Sequence, residues 1–274
     1  MAVAVATAIS ALFVPGTSGA FTASIRNSSD NGVIATRFSC ADTFNATANK
    51  ANAYFEYQLT QNAATTTDSS NAGNTGTFQG GHPTDASSPI ACPNDTSGPA
   101  AYRLDGATNY LTTQTAVSAP PVSFSLAIWF KTTVAGGYLI GLAANQTGSN
   151  TVFDRHLYLN ASGQLVFGTY SGAFQLVTST SSYNDGIWHQ AVATMSPSGG
   201  MSLYVDGAKV AGNTGYTSAE ADSGYWRIGW NSITTWPGAP SNPYFSGSIR
   251  FAAAYTVALA SGEIALEYGN GRPA

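Results

Sequence analysis

Charged residues are scarce in this chain of 274 residues. They make up 9% of it, whereas globular proteins usually contain about 25%. The ten Lys and Arg and the fourteen Asp and Glu form no cluster of either sign. A protein that binds nucleic acid or an acidic membrane surface needs a basic patch, so this composition excludes both partners.

Long hydrophobic runs are also missing. The apolar run at residues 2–14 is shorter than the about 20 residues of a membrane helix, so we expect no membrane insertion of the mature chain. Residues 1–20 end in the small residues Ser18, Gly19 and Ala20 and match the second half of a secretory signal. The basic residues that open such a signal are absent, so the precursor starts upstream or this sequence begins late. We predict a secreted protein, with association to the cell surface as a further option.

Only two cysteines occur, Cys40 and Cys92. Two cysteines without a nearby pair of histidines are too few ligands for a zinc site. In an exported protein a disulfide is favoured over two free thiols. Such a bridge, closing a loop of roughly fifty residues, would stabilise the fold by about 4 kcal/mol.

Helical periodicity is almost absent after residue 20, and short alternating runs recur between turns instead. This pattern predicts an all-β antiparallel sandwich. We predict three hairpins and one short helix, residues 262–268, capped by Ser261 with Glu263 near its positive end. The hairpins pair residues 124–130 with 138–142 across Gly136 and Gly137, 156–160 with 164–168, and 201–205 with 208–210 across Asp206 and Gly207.

Several segments, in order and at normal spacing, resemble the laminin-G-like, concanavalin A-like jelly-roll family, particularly its exported actinobacterial members. The resemblance covers residues 53–270. It implies two facing antiparallel sheets of six or seven strands, and ligands that are carbohydrates, proteins or lipids. The segments that carry it are residues 53–59, 68–77, 102–106, 124–131, 183–189, 203–207, 226–229, 245–249 and 258–264.

Residues 21–52 precede this domain as an N-terminal extension. Its start is faintly similar to camelysin-type and biofilm-fibre proteins, and an exposed strand there would be a template for pairing with a neighbouring molecule. An added edge strand on its own domain, stapled by Cys40 and Cys92, is the favoured interpretation.

Some relatives of this family hold calcium at one rim, which makes Asp105 and Asp68 candidate metal ligands. Calcium needs six to eight oxygen ligands. Where many relatives carry an acid after Gly247, Ser248 and Ile249, this chain has Arg250, which would repel a cation. Turn-forming roles for both aspartates are favoured, so we expect no cofactor, with calcium as the weaker alternative.

The same fold occurs in glucanases, so we ask whether this sequence contains the residues that hydrolysis of a sugar chain requires. Retaining hydrolysis requires two carboxyl groups about 5 Å apart. Glu220 and Asp222 have suitable spacing, but residues 219–224 are predicted to form a loop, and Glu263 and Glu267 lie on the predicted helix. No Gly-x-Ser-x-Gly motif is present, and His189 is interpreted as a packed strand residue. We predict that the protein is not an enzyme.

Binding remains. Trp230, Trp236 and Tyr244 lie in a Pro-, Gly- and Asn-containing loop at residues 229–245, and loops on a rigid scaffold often carry recognition. We nominate these aromatic residues as the ligand surface, with Asn231 as a polar partner. The alternative is a loop folded over one end of the sandwich.

Asp154 and Arg155 are a further candidate, either as a sugar-recognising pair or as an ion pair at the rim, which is favoured. The sequence therefore predicts a secreted, non-catalytic module that binds carbohydrate or a surface polymer. The alternatives are a structural or adhesive protein that contacts other surface proteins and, less favoured, a glycoside hydrolase.

Overall fold

The computed structural model describes residues 39–46, 48–95, 100–150 and 153–273. The predicted signal, residues 1–20, and residues 21–38 of the predicted extension lie outside the described residues. The described part of the extension is helical, with an α-helix followed by a 3₁₀ helix at Ala48–Asn52, and holds no strand. No helix in the described part of the chain is long and apolar enough to cross a membrane.

Strands make up most of the fold. The helices are α1 (Cys40–Ala46) and α2 (Ser261–Gly271), and the strands are β1 (Ala53–Tyr57), β2 (Thr65–Thr66), β3 (Gly76–Gln79), β4 (Thr84–Asp85), β5 (Ala101–Asp105), β6 (Tyr110–Thr113), β7 (Phe124–Lys131), β8 (Gly137–Ala143), β9 (Phe153–Leu159), β10 (Gln164–Tyr170), β11 (Phe174–Ser182), β12 (Trp188–Ser196), β13 (Gly200–Val205), β14 (Ala208–Asn213), β15 (Tyr225–Ile228) and β16 (Ser246–Tyr255).

The strands form two antiparallel sheets of eight strands each, one or two more than expected. Sheet I has the order β14-β13-β12-β7-β16-β5-β4, and β1 also pairs with β16. Sheet II has the order β11-β10-β9-β8-β15-β6-β3-β2. The predicted all-β sandwich with one short C-terminal helix is confirmed.

The main core lies between the sheets and follows the two-residue period of the strands. In β7, Phe124, Leu126, Ile128 and Phe130 all belong to this core. The alternate residues face outward, yet Trp129 is also buried, since it packs with other side chains on the outer face of sheet I. β7 is therefore covered on both sides, which explains its nearly continuous hydrophobic sequence.

Two of the three predicted hairpins are confirmed. β13 and β14 pair across Asp206 and Gly207, whose φ angles of 53° and 78° suit the tight turn predicted there. β9 and β10 pair across a turn in which Gly163 has φ 77°. The hairpin across Gly136 and Gly137 is wrong: β7 pairs with β12 and β16 in sheet I, while β8 lies in sheet II. Local alternation shows that a strand has an apolar face, but not which sheet it joins.

The outer face of sheet I is covered by α1, α2 and the Cys92 segment. The predicted disulfide between Cys40 and Cys92 is present, with Cα atoms 5.6 Å apart. The predicted cap of α2 is wrong, because the N-cap is Ala260 and not Ser261. Glu263 Oε2 accepts a hydrogen bond of 3.0 Å from the Ala260 N–H, so the glutamate satisfies the N–H of the N-cap residue, and no side chain of that residue caps the first turn. The helix continues to Gly271, beyond its predicted end at residue 268.

Candidate functional site

Residues 230–244 lie on the outer face of sheet II, and Trp236 fixes them there. Its side chain is 3% exposed and packs in a cluster with Tyr138, Tyr158 and Val166. Gly168 makes room for the ring, since a methyl group there would lie 2.6 Å from Trp236 Cζ3. Trp236 was expected on the ligand surface, but the structure makes it the buried anchor of this loop.

Asn231 is also buried and holds the loop through hydrogen bonds. Its Nδ2 donates to Tyr138 Oη and to the Leu142 carbonyl, both at 3.3 Å. Its Oδ1 accepts from Asn150 Nδ2 at 3.2 Å. The expected polar partner of a ligand is thus a positioning residue inside the protein.

Trp230 and Tyr244, at the two ends of the loop, come together in a stacked pair. Their ring centroids are 5.0 Å apart and their planes differ by 17°. The loop closes where the Phe245 N–H donates to the Gly229 carbonyl at 2.9 Å. Tyr110 of β6 lies 5.0 Å from Trp230, so Tyr110, Trp230 and Tyr244 form one group, here called the aromatic platform. Trp230 and Tyr244 are half-buried.

Arg227 of β15 lies against this platform. Its Cζ is 5.1 Å from the Trp230 ring centroid and 5.9 Å from that of Tyr110. Nε and Nη2 donate to the Asn145 carbonyl at 3.1 and 2.7 Å. Nη1 is buried and has no hydrogen-bond partner in the described part of the chain. Burial lowers the pKa of this guanidinium, partly offset by the nearby tyrosines, but it stays charged at neutral pH.

Polar side chains continue the same face of sheet II beyond the platform. Gln79 lies directly opposite Tyr110 in the pairing of β3 with β6. Gln79 Nε2 donates to Thr112 Oγ1 at 3.5 Å, and Gln146 Nε2 donates to the Thr113 carbonyl at 2.9 Å. Amide and hydroxyl groups therefore flank stacked aromatic rings on a rigid sheet.

The sequence nominated Trp230 and Tyr244 but not Arg227 and Tyr110, which the structure places beside them. One feature of the sequence could have identified Arg227. It is a charged residue in the short strand Tyr225–Ile228, which lies directly before the aromatic loop. Tyr110 becomes adjacent only because β6 pairs with β15, which no local pattern shows.

The fold and these residues can now be set against known proteins. A family model described as the concanavalin A-like lectin/glucanases superfamily matches residues 105–265, more than half of the chain. The chain belongs to this superfamily. No curated protein sequence matches it.

Solved structures share the fold at low sequence identity. The binding domain of Paraclostridial Mosquitocidal Protein 1 is 13% identical with a TM-score of 0.58, and the binding domain of botulinum neurotoxin DC in complex with SialylT is 15% identical with a TM-score of 0.56. Each match covers 80% of this chain and 52% of the other, so the chain spans about half the length of these domains. Domain 4 of AbnA, an extracellular arabinanase from Geobacillus stearothermophilus, in complex with arabinotriose, is 15% identical with a TM-score of 0.56, over 79% of this chain and 98% of that domain. These likenesses show the fold.

In this superfamily member, Asp154 and Arg155 lie inside the sandwich and not at its rim. Both are fully buried, with Arg155 Nε 3.7 Å from Asp154 Oδ2. Arg155 donates to the carbonyls of Pro120, Pro121 and Glu220 at 3.2, 2.7 and 2.7 Å. Burial raises the pKa of Asp154 to about 7, although the charge of Arg155 offsets part of this effect. The pair ties two loops to β9 and offers no surface to a ligand.

Asp105 has its carboxylate oxygens committed to its own turn. They accept hydrogen bonds of 2.7 to 3.0 Å from the backbone of Ala107, Thr108 and Asn109 and from Thr108 Oγ1. Partial burial opposes ionisation, but these bonds outweigh it and hold the pKa of Asp105 well below its usual value. Asp68 likewise accepts from the backbone of Glu56, Ser70 and Asn74.

These residues do not fit a calcium site. Both aspartates act as turn formers, and Arg250 is buried with Nη1 donating to the Ala91 carbonyl at 2.8 Å. Within the described ranges, the one group of three potential metal ligands is Cys40, Cys92 and Asp95, and its cysteines form the disulfide.

The acidic pairs considered for hydrolysis lie outside the strands. Glu220 and Asp222 are in the loop before β15, and Glu263 and Glu267 are on α2. Glu263 is occupied as part of the helix cap. Neither pair is adjacent in sequence to a platform residue, and neither lies on a strand of sheet II.

Proposed function

We propose that this protein is a non-catalytic extracellular module that binds a carbohydrate chain on the aromatic platform. The observation that carries the proposal is the stacked pair of half-buried aromatic rings, Trp230 and Tyr244, held from behind by Arg227. The C–H face of a sugar ring packs on the electron-rich face of an aromatic ring. Arg227 is itself fully buried, so it supports the rings from behind through its cation–π contacts and does not reach the sugar.

The platform is held rigidly before any ligand arrives. Trp236 and Asn231 fix the loop to sheet II, and the Asn145 carbonyl fixes Arg227. A site whose side chains are already ordered loses less conformational entropy when it binds. This favours useful affinity from a shallow surface with only a few aromatic contacts.

The comparisons support the proposed ligand class. Two of the structures that share this fold are named as complexes with SialylT and with arabinotriose. The disulfide between Cys40 and Cys92 supports an extracellular location, because structural disulfides persist in oxidising surroundings. The placement of the glutamates in one loop, on α2 and on the outer side of sheet I supports a role without catalysis.

A glycan array followed by titration calorimetry tests the proposal. We expect W230A and Y244A to bind the best glycan at least tenfold more weakly than the wild type, which corresponds to about 1.4 kcal/mol. The matched control is L266A, since Leu266 is a large apolar residue 51% exposed on α2, over sheet I and not in the aromatic loop. Its affinity should stay within twofold of the wild type.

Two results would overturn the proposal. One is a wild-type protein that binds no glycan on the array. The other is a folded W230A protein, with an unchanged melting temperature, that binds as tightly as the wild type. Release of a shorter sugar during the titration, abolished in E220Q, would favour the hydrolase alternative.

A further inference from the structure

A polar cavity lies on sheet I, and none of the three platform residues lines it. Its volume is about 140 Å³, enough for a few water molecules or one small charged group. Its lining combines two cationic side chains, several hydroxyl groups and backbone. The residues are Arg103, Lys131, Thr132, Thr133, Ser246 and Gly186, and they are called the polar groove below.

The strand register places both cations on one face of sheet I. Ser248 of β16 lies opposite Arg103 of β5 on one side and opposite Lys131 of β7 on the other. Directly paired residues point to the same side of a sheet. Because neighbouring strands are about 4.8 Å apart, the two cationic side chains start about 10 Å apart and reach over the same space.

The donors in the groove are only partly used. Lys131 Nζ lies 3.6 Å from Asp85 Oδ2 and 5.4 Å from the Trp188 ring centroid. The Arg103 guanidinium is exposed and makes no hydrogen bond or ion pair with any residue that the structure describes. The hydroxyls of Thr133 and Ser246 likewise have no hydrogen-bond partner in the described ranges.

The neighbouring acids pair with Lys131 or with their own turns, and neither pairs with Arg103. Asp85 accepts hydrogen bonds from Ser87 N–H at 2.9 Å and from Ser248 Oγ at 2.5 Å, in addition to its contact with Lys131. Asp105 stays ionised, but its oxygens accept hydrogen bonds from its own turn and it forms no ion pair with Arg103 in the described part of the chain. The Arg103 guanidinium therefore has no ion-pair partner among the described residues and stays available beside the cavity.

An exposed cation such as Arg103 is uncommon in the described part of this chain. Three arginines, Arg155, Arg227 and Arg250, are buried, so few cations remain on the surface. Two of these line a single groove. A guanidinium presents paired N–H donors that match the two oxygens of a carboxylate or the oxygens of a sulfate group.

We propose that the polar groove binds the oxyanion of an acidic sugar, a carboxylate or a sulfate ester. Arg103 pairs with two of its oxygens, Lys131 adds charge, and the hydroxyls of Thr133 and Ser246 donate hydrogen bonds. The groove is too small for an oligosaccharide, so one charged group enters it and the rest of the sugar stays outside. This site is separate from the aromatic platform and does not depend on it.

Backbone amide NMR on the full chain tests this proposal with a matched pair of probes. Galacturonate and galactose differ at the carboxylate, and both are added at constant ionic strength. We expect galacturonate, and not galactose, to shift the amides of Thr133, Gly186 and Ser246 in a saturable manner. Inorganic sulfate is the third probe. Shifts with sulfate alone would mean that the groove takes a free anion and no sugar, which overturns the proposal.

Variants keep the result interpretable. R103Q should reduce the affinity for galacturonate at least fivefold without changing the melting temperature, because the guanidinium makes no hydrogen bond or ion pair with a described residue. K209Q removes another surface cation, on β14, and should have no effect. W230A should also have no effect, so a failure of the platform and a failure of the groove can be told apart. Equal binding by R103Q and the wild type would overturn the proposal.

Discussion

His189 Nδ1 lies 2.7 Å from Asp206 Oδ2, and its Nε2 lies 3.2 Å from Asp185 Oδ1. A neutral imidazole has one N–H, so both contacts are hydrogen bonds only when the ring is protonated. Burial alone would lower the pKa of His189, but the hydrogen bond and charge of Asp206 and the charge of Asp185 more than reverse this and raise it. His189 thereby links the β13–β14 turn to the loop before β12.

This arrangement predicts a pH-dependent stability. A histidine whose pKa is raised in the folded state stabilises fully below its ordinary pKa of about 6.5 and loses this effect as the pH rises through the raised value. H189Q should therefore be less stable than the wild type by about 1 kcal/mol near pH 6, and the difference should shrink above neutral pH. Chemical denaturation between pH 5.5 and 9 measures it. Parallel stability curves for the two proteins would contradict this role.

Glu56 predicts a second pH dependence of stability, this time from a buried carboxyl group. Its neighbours Phe55 and Tyr57 face the main core, so its carboxyl group points to the outer side of sheet I. It is 1% exposed, and neither carboxyl oxygen has a hydrogen-bond partner in the described part of the chain. Burial raises its pKa to about 8, and the nearby Ser69 offsets only part of this.

The folded protein thus holds a proton on Glu56 that the unfolded chain has lost above about pH 4.3. Stability from this group falls as the pH rises from that value to about 8. E56Q should match the wild type near pH 5 and exceed it by a few kcal/mol at pH 8. E220Q, which changes a loop glutamate, is the control and should follow the wild type. A wild-type advantage over E56Q at pH 8 would show that the carboxylate is ionised and paired.

The two tryptophans of the aromatic loop should respond differently to truncation. W236A leaves a cavity under the loop and should cost about 3 to 5 kcal/mol, since Trp236 contacts His156 and Phe174 at ring distances of 4.5 and 5.1 Å. W230A removes a half-buried ring and should cost about 1 kcal/mol or less. Thermal unfolding of both proteins measures this. Equal losses would mean that Trp230 also supports the fold.

Much of the fold was predictable because its signals are local. The Asp206 and Gly207 turn is specified by two adjacent residues, and the order of strand motifs identified the sandwich. The wrong hairpin arose where the chain crosses between sheets at Gly136 and Gly137. β7 and β8 face each other across the core from different sheets. Two strands of one hairpin would show the same alternation of apolar residues, so the sequence pattern does not distinguish the two arrangements.

The candidate site was harder to predict, for a physical reason. Trp230 and Trp236 occur in the same loop and have the same chemistry. Their roles differ because Trp236 finds a space over Gly168 on another strand, while Trp230 stacks on Tyr244. Asn231, Asp154 and Arg155 are buried by contacts distant in sequence, so polarity alone placed them wrongly at the surface.

The helices α1 and α2 cover one outer face of the sandwich, so its two outer faces differ. The Cys92 N–H donates to the Gly271 carbonyl at 2.7 Å, and Asn270 Nδ2 donates to Thr43 Oγ1 at 2.7 Å. The first and last described elements are therefore clasped together on the outside of sheet I, while the aromatic platform lies on the outside of sheet II. A label attached to an exposed residue of α1 or α2 would therefore sit on the face opposite the platform and leave the platform free.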